Sequence, residues 1–322
     1  MRLFAVVVAV YLTLLVTVEA VNAILYGRMR RWGAFFPAMA AAVGGTGLFV
    51  LIVFVPALRD AALRYTAALL LTVFGTGLVC DVLALTIRSR RVRRVLGSIR
   101  VALPDLMSLF LPQRTADVLP RAPLGPVPQR GTEEFELLFQ TSAHGIGLVG
   151  HCELCFDGRT LTYGAYDPVH QRLLRTVGAG IVFSAPREPY LRWCIGTHHR
   201  RVISYSLRLP PAQAAQLRAE LESFRQTLSP WQPEALPEDC FAGRLHRLGG
   251  VRFWRVQRGT YATYFIPTIN CVSLTNKLLE KTDIGRTVML GLKTPGAYLD
   301  LLEREYLAGN PAVTARRVYD KI

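Results

Sequence analysis

Apolar residues along this chain form three long blocks near its start and only short periodic runs after residue 90. The blocks are residues 3–26 (LFAVVVAVYLTLLVTVEAVNAILY), 34–57 (AFFPAMAAAVGGTGLFVLIVFVPA) and 66–87 (TAALLLTVFGTGLVCDVLALTI). Each exceeds the ~20 residues that cross a hydrocarbon core about 30 Å thick, so residues 1–90 are expected to hold three transmembrane helices. The first block is too long for the apolar core of a plain signal peptide and has no small-x-small exit, so it reads as an anchor. Glu19 with Asn22, and Asp81 beside Cys80, interrupt the blocks. An acid at the centre of a span costs roughly 2.5–3.5 kcal/mol and suggests function, but these acids also lie within a turn or two of a helix end, in reach of headgroups.

From residue 132 onward the periods are mixed. "GIGLVGHCELCF" and "RTLTYGAYD" alternate like strands on either side of Asp157-Gly158, a pair suited to a tight turn. "RRVISYSLRL" is another alternating run, and "VRFWRVQRGTYATYF" is rich in strand-favouring residues. "PPAQAAQLRAELESFRQTL" opens on prolines and then spaces Ala215, Leu217, Leu221 and Phe224 as a helix does. Residues 297–307 predict a last helix. The expected fold class is thus an N-terminal three-helix transmembrane region followed by an α+β domain over residues 132–322.

Between them, residues 88–131 read as a basic interfacial segment and a linker. "RSRRVRRVLGSIRVALPDLMSLFLP" (88–112) sets Arg88, Arg90, Arg91, Arg93 and Arg94 among apolar residues, a pattern suited to lipid headgroups. "QRTADVLPRAPLGPVPQRG" (113–131) is Pro-rich and irregular. The net charge of +15 is mostly arginine, and its densest run abuts a predicted span. With no zinc-finger, RNA-recognition or basic-zipper pattern, the charge is better explained by lipid and topology than by nucleic acid, which is not expected as a partner. Arg28, Arg30 and Arg31 in the loop after the first block and the arginines from Arg88 to Arg100 after the third outnumber Arg2 and, in the loop after the second, Arg59 and Arg64. That distribution favours a cytoplasmic C-terminal domain.

The candidate chemistry centres on Cys271. Asn270 is a favoured helix cap, and Val272, Thr275, Leu278 and Leu279 follow at helical intervals. Cys271 then falls in a first turn, where the helix dipole and unpaired N–H groups favour a thiolate and stand ready for an oxyanion. Many cysteines at such positions are simply packed, and the pattern alone favours that reading over a catalytic one. Among the histidines, His198 and His199 lie in the arginine-rich "GTHHRR", which reads as a turn, and His170 and His246 sit in polar contexts. His151, within the strand-like "GLVGHCELCF" and after Gly150, is the leading partner, with His144 in reserve. His151, Cys152 and Cys155 raise a zinc site, but neighbours on a strand point to opposite faces and no second ligand pair exists, so no metal or cofactor is expected.

In order, "GHCELCFDGRTLTYGAYD", "YSLRLPPAQAAQLRAEL" and "YATYFIPTINCVSL" resemble the circularly permuted papain-like superfamily, in which a Gly-His strand precedes an Asn-Cys helix start. That group includes NlpC-like amidases and the lecithin:retinol acyltransferase family. The likeness is greatest to an exported bacterial domain family that contains Lnb-type lipoprotein N-acyltransferases. It rests on Gly150-His151 with Leu154, on Tyr163-Gly164-Ala165-Tyr166-Asp167, and on Asn270-Cys271, and covers roughly residues 135–300. The resemblance implies an antiparallel sheet with a Cys-bearing helix, Cys271 as nucleophile and His151 as general base. Asp167 or Tyr163, on the strand after the histidine, would be the orienting group.

A Cys–His pair performs acyl transfer through a thioester, resolved by water in a hydrolase and by an amine or alcohol in a transferase. With membrane spans beside it, the expected reaction moves an acyl chain from a phospholipid to an amine, the N-terminus of a bacterial lipoprotein. The alternatives are an amidase or peptidase acting on cell-wall or protein peptides, and a non-catalytic membrane interaction module. The expected location is the bacterial cytoplasmic membrane, multi-pass. The catalytic domain is expected on the periplasmic, outer face, as the resemblance implies, although the arginine distribution favours the cytoplasmic one.

Overall fold

The computed structural model describes residues 2–86, 100–101, 111–123, 134–142, 150–233, 240–282, 289–290 and 294–320. It divides into two compact units, Met1–Val101 and Ala102–Ile322. His144 and the basic run from Arg88 to Arg94 lie outside the described residues.

The first unit is helical: α1 (Arg2–Arg28), α2 (Trp32–Phe54) and α3 (Pro56–Thr86). Among the described residues α1 and α2 are long and apolar enough to cross a membrane. Val8, Leu12, Ile52 and Leu63 are buried together. The stretch around Arg59 and Arg64, expected to be a loop, is helical. Pro56 is well suited to a first helical turn. Arg59 bonds back to the Ile52 and Val53 carbonyls at 2.7 and 3.0 Å, where the end of α2 leaves acceptors unpaired. Asn22 donates to Glu19 at 3.3 Å within α1, which gives these polar groups a local partner. The side chain of Asp81 lies outside the described part.

The second unit opens with α4 (Leu111–Val118), then β1 (Glu134–Thr141), β2 (His151–Phe156) and β3 (Arg159–Gly164). Asp157 and Gly158 join β2 to β3 with φ of 49° and 71°, the left-handed pair that a two-residue hairpin turn requires. Next come β4 (Val177–Ala179), β5 (Ile181–Pro186), α5 (Arg187–His198), β6 (Arg201–Arg208) and α6 (Pro211–Arg225). The chain continues through β7 (Leu228–Pro230), α7 (Phe241–His246), β8 (Arg252–Val256), β9 (Thr263–Phe265) and α8 (Cys271–Leu279). It closes with α9 (Pro295–Leu307) and β10 (Val313–Tyr319).

Eight strands form one antiparallel sheet in the order β10-β6-β1-β2-β3-β5-β8-β7, and β4 pairs with β9 in a separate ribbon. Helices cover both faces. On one, Phe135, Leu137, Phe139, Cys152, Leu154 and Tyr205 pack with Leu217 of α6, Val272 and Leu278 of α8, and Leu299 and Leu302 of α9. On the other, Phe183 and Leu138 pack with Tyr190, Leu191 and Cys194 of α5 and Leu245 of α7. The two faces follow from the strict alternation along each strand.

One buried ion pair ties this second face together. Arg187 at the start of α5 binds Glu136 of β1, which also accepts from Ser204 of β6 at 2.8 Å, while Arg187 reaches Tyr319 of β10 at 3.2 Å. Both side chains are 8% exposed. Arg187→Met would strand a buried carboxylate and should cost about 3–5 kcal/mol of stability. Urea unfolding should show that loss, and the double variant with Glu136→Leu should recover most of it.

Candidate active site

α8 begins where the sequence pattern places it. Asn270 caps it: its side chain accepts from the Ser273 N–H at 3.0 Å, and Ser273 Oγ accepts from the Asn270 N–H at 2.9 Å. Asn270 also donates to the Ile266 carbonyl at 2.8 Å, and Tyr261 holds the Ser273 carbonyl at 2.9 Å. The helix start is therefore fixed at four points, with Cys271 as its first residue and 3% exposed.

The sulfur meets β2 where that strand forks from β3. The β2–β3 ladder pairs Leu154 with Leu161, Cys155 with Thr160 and Phe156 with Arg159, and no pairing continues to residues 151–153. The Cys152 N–H, left out of the ladder, donates to Cys271 Sγ at 3.4 Å. Cys152 itself packs toward α8, its thiol 4.0 Å from Thr275 Oγ1. His151 is the residue before Cys152, so its side chain starts from the other face of the sheet. No hydrogen bond joins His151 to Cys271 among the described residues.

The imidazole is held by two residues that sequence reasoning passed over. Tyr166 Oη lies 3.1 Å from His151 Nε2, and Glu153 Oε1 lies 3.9 Å from the same nitrogen. Glu153 shares a strand face with His151 through the two-residue repeat, a signal legible in "HCELC" but overshadowed there by the cysteines. Tyr166 belongs to the "TYGAYD" stretch, and Gly164 explains that motif. A Cβ at Gly164 would come within 2.8 Å of the Tyr166 ring, so the missing side chain lets the ring fold back toward His151. Among the described residues Nδ1 of His151 has no hydrogen-bond partner, and the side chain is 16% exposed.

Behind Glu153 runs a buried relay. Tyr190 donates to Glu153 Oε1 at 2.6 Å and Thr162 at 3.1 Å; Gln140 donates to Tyr190 at 2.8 Å, and Arg200 to Gln140 at 2.9 Å. Glu153 Oε2 is buried with no partner among the described residues.

The two expected orienting groups are engaged elsewhere. Asp167 caps the turn at Pro168–His170 through the Val169 N–H and pairs with His170 and Arg255. Tyr163 donates to the Tyr261 and Thr263 carbonyls at 2.9 and 3.2 Å. Its role is to hold the segment carrying Tyr264, whose own ionisation is pushed up by burial and by the Cys271 thiol facing it. His170 and His246 are exposed, and His198 and His199 end α5 rather than forming a loop. No metal-ligating cluster occurs among the described residues. A cleft of about 320 Å³ lies beside Glu136 and Arg187, away from Cys271 and His151. Its acids Glu134, Glu136 and Glu188 are paired with Arg208, Arg187 and Arg192.

Burial decides the protonation states. It pushes the Cys271 thiol up to about 11, outweighing the Cys152 and Val272 N–H groups that lower it. The expected activation of the thiol by the helix start is present but loses to desolvation. Burial, aided by Arg200, lowers His151 to about 3, and burial raises Glu153 to about 7 against the bonds from Tyr190, Gln140 and Thr162. The resting pair at neutral pH is therefore thiol and neutral imidazole. The signs follow: keeping His151 neutral opposes folding increasingly as pH falls below 6.5, and ionising Glu153 opposes it as pH rises from 4.5 through 7.

Comparison with protein-family models, with curated proteins and with solved structures gave no match.

A thiol held near 11 is almost wholly protonated at pH 7. Alkylation of Cys271 by iodoacetamide, followed by peptide mass spectrometry, should rise about tenfold per pH unit to pH 10, as thiolate content does. A rate already level at pH 8 would mean that an imidazolium–thiolate pair forms after all.

Proposed function

We propose that the second unit is a thiol-dependent acyltransferase in which Cys271 takes an acyl chain from a phospholipid and passes it to an amine. The observation that carries this reading is the docking of a capped helix start, with Cys271 at its tip, onto the N–H of the residue next to His151. The order of these residues, His151 before Cys271, agrees with a permuted papain-like arrangement. The two apolar helices of the chain supply the reason to look to lipid for the donor; the apolar part of α3, from Thr66 onward, is proposed as a third crossing.

In this mechanism the imidazole rotates from its resting contact and Nδ1 takes the Cys271 proton as the sulfur attacks the ester carbonyl. Catalytic hydrogen bonds often form only once substrate is bound. Nε2 keeps its proton in a hydrogen bond to Tyr166 Oη, and the nearby Glu153 carboxylate offsets the imidazolium charge. The N–H groups of Cys271 and Cys152 face the oxyanion. Collapse expels the lysophospholipid oxygen, which recovers the proton from His151 and leaves an acyl thioester. The acceptor amine then gives a proton to His151, attacks the thioester, and Cys271 leaves as the thiol. The proposed acceptor is the N-terminal amine of a lipoprotein, with the site on the outer face of a bacterial cytoplasmic membrane.

Incubation with acyl-labelled phospholipid should leave hydroxylamine-labile label on the wild type and none on Cys271→Ala; label persisting on that variant would sink the mechanism. His151→Ala should slow acylation about 10²–10⁴-fold. Glu153→Gln should slow it less and flatten its pH dependence around pH 7, whereas a uniform loss at every pH would make Glu153 purely structural. A phosphatase or fluorescent-protein fusion at Ile322 reports the side: a cytoplasmic signal leaves acyl transfer standing and removes the lipoprotein acceptor.

A further inference from the structure

Beside the site, the loop between the Pro168–His170 turn and β4 departs from what an exposed loop ordinarily shows. Leu173, Leu174 and Arg175 take φ of 48°, 55° and 68°, three consecutive left-handed residues without a glycine. Residues with side chains seldom visit this region, and then singly. The loop is nonetheless closed firmly: Arg172 and Val177 exchange backbone bonds at 2.8 and 3.2 Å, and the Leu173 carbonyl accepts from the Thr176 N–H at 3.1 Å and its hydroxyl at 2.6 Å. What the strain achieves is display. Leu174 is 95% exposed, Leu173 59% and nearby Val169 72%.

The flanks have the opposite character. Arg172 and Arg175 are exposed and carry no ion pair among the described residues, while the neighbouring Arg255 is taken by Asp167. Bare leucines between unpaired arginines match an anionic bilayer surface, with side chains entering the acyl boundary and guanidinium groups among the phosphates. A protein partner would need a complementary apolar groove, and nothing here indicates one. A lipid surface needs none, and α1 and α2 already give this chain helices suited to a bilayer.

The loop is wired to both halves of the site. Gln171 donates to the Ala165 carbonyl at 2.6 Å, next to Tyr166, and the Ile266 N–H donates to the Thr176 carbonyl at 3.0 Å. β4 pairs with β9, placing Gly178 opposite Tyr264. Any surface that seats Leu173 and Leu174 therefore also fixes the segments that bear Tyr166 and Tyr264.

We infer that residues 169–175 form a lipid-inserting loop, with Val169, Leu173 and Leu174 as the wedge and Arg172 and Arg175 as its anionic-headgroup contacts. This goes beyond the acyl-transfer reading and holds whether or not Cys271 forms a thioester. The test uses the full chain in lipid nanodiscs, with an environment-sensitive fluorophore on Leu174→Cys or, as control, on the exposed Gln216→Cys; label on the parent chain is subtracted. In discs containing phosphatidylglycerol, the probe at 174 should be quenched by spin-labelled lipid and shielded from iodide, and the probe at 216 should not. Arg172→Gln with Arg175→Gln, or purely zwitterionic discs, should reduce lipid quenching at least about threefold. Equal iodide access at both positions overturns the inference. So does a probe shielded from iodide yet untouched by lipid quencher, which would assign the loop to protein contact. Leu174→Asn provides a check on folding, because asparagine tolerates this conformation. Its melting temperature should not fall, while quenching from a probe placed at Leu173→Cys in the same chain should drop.

Discussion

The arrangement around Cys271 depends on where one helix is allowed to start. The Asn270–Ser273 capping box prevents α8 from beginning a residue earlier or later, and the Tyr261 and Ile266 contacts prevent it from sliding. A one-residue shift would rotate the thiol by about 100° around the helix and away from the Cys152 N–H. The fork between β2 and β3 supplies the other half of the fit, because a continued ladder would have used that N–H. Tyr163, Tyr261 and Tyr264 then fill the space beside the fork, with ring centroids 5.6 and 5.2 Å from Tyr163. Their role follows from the helix position rather than the reverse.

Burial also sets the electrostatic character of the site. A helix terminus offers a charge typically 0.3–1 kcal/mol, under one pKa unit, whereas full burial can shift a group by several units. The sum at Cys271 is an upward shift despite the three N–H groups of Cys152, Val272 and Cys271 itself that favour the thiolate. A protonated thiol and a neutral imidazole agree with the proposed mechanism, in which charge would form only as acyl transfer begins. Glu153 fits that logic. Raised to about 7, it sits near the balance point at neutral pH, and an imidazolium beside it would draw it to the carboxylate form.

Much of the second unit was legible because local and tertiary preferences agree there. The Asp157-Gly158 hairpin, α6 opening on proline, and the cap at Asn270 are each specified within a few residues. The misreadings came where a distant partner decides. "GTHHRR" reads as a turn, yet Tyr190, Leu191, Cys194 and Ile195 bury one side of a helix that carries its last residue to His198. Arg59 reads as a loop charge, yet it binds the end of α2. Asp167 directly follows Tyr166, the residue that reaches the histidine, but Arg255, 88 positions away, claims it. Glu153 and Tyr166 were in plain view, and only the fork and the missing Cβ of Gly164 bring them to the imidazole.

If α1 and α2 alone cross, residue 2 and the second unit share a side, and Arg59, Arg64 and the run from Arg88 join Arg2 against Arg28, Arg30 and Arg31. If α3 also crosses, the first loop joins the later run against Arg2, Arg59 and Arg64. Charge bias would favour the second unit inside in both cases, so the number of crossings does not decide the matter. Arg59 weakens the count itself, since a guanidinium bound to helix carbonyls is a cap as well as a topological signal. The outer-face assignment therefore stands or falls with the resemblance in the second unit. The proposed chemistry at Cys271 needs only a bilayer leaflet, and either leaflet would offer esters beside the proposed lipid-inserting loop with Leu173 and Leu174 on its tip.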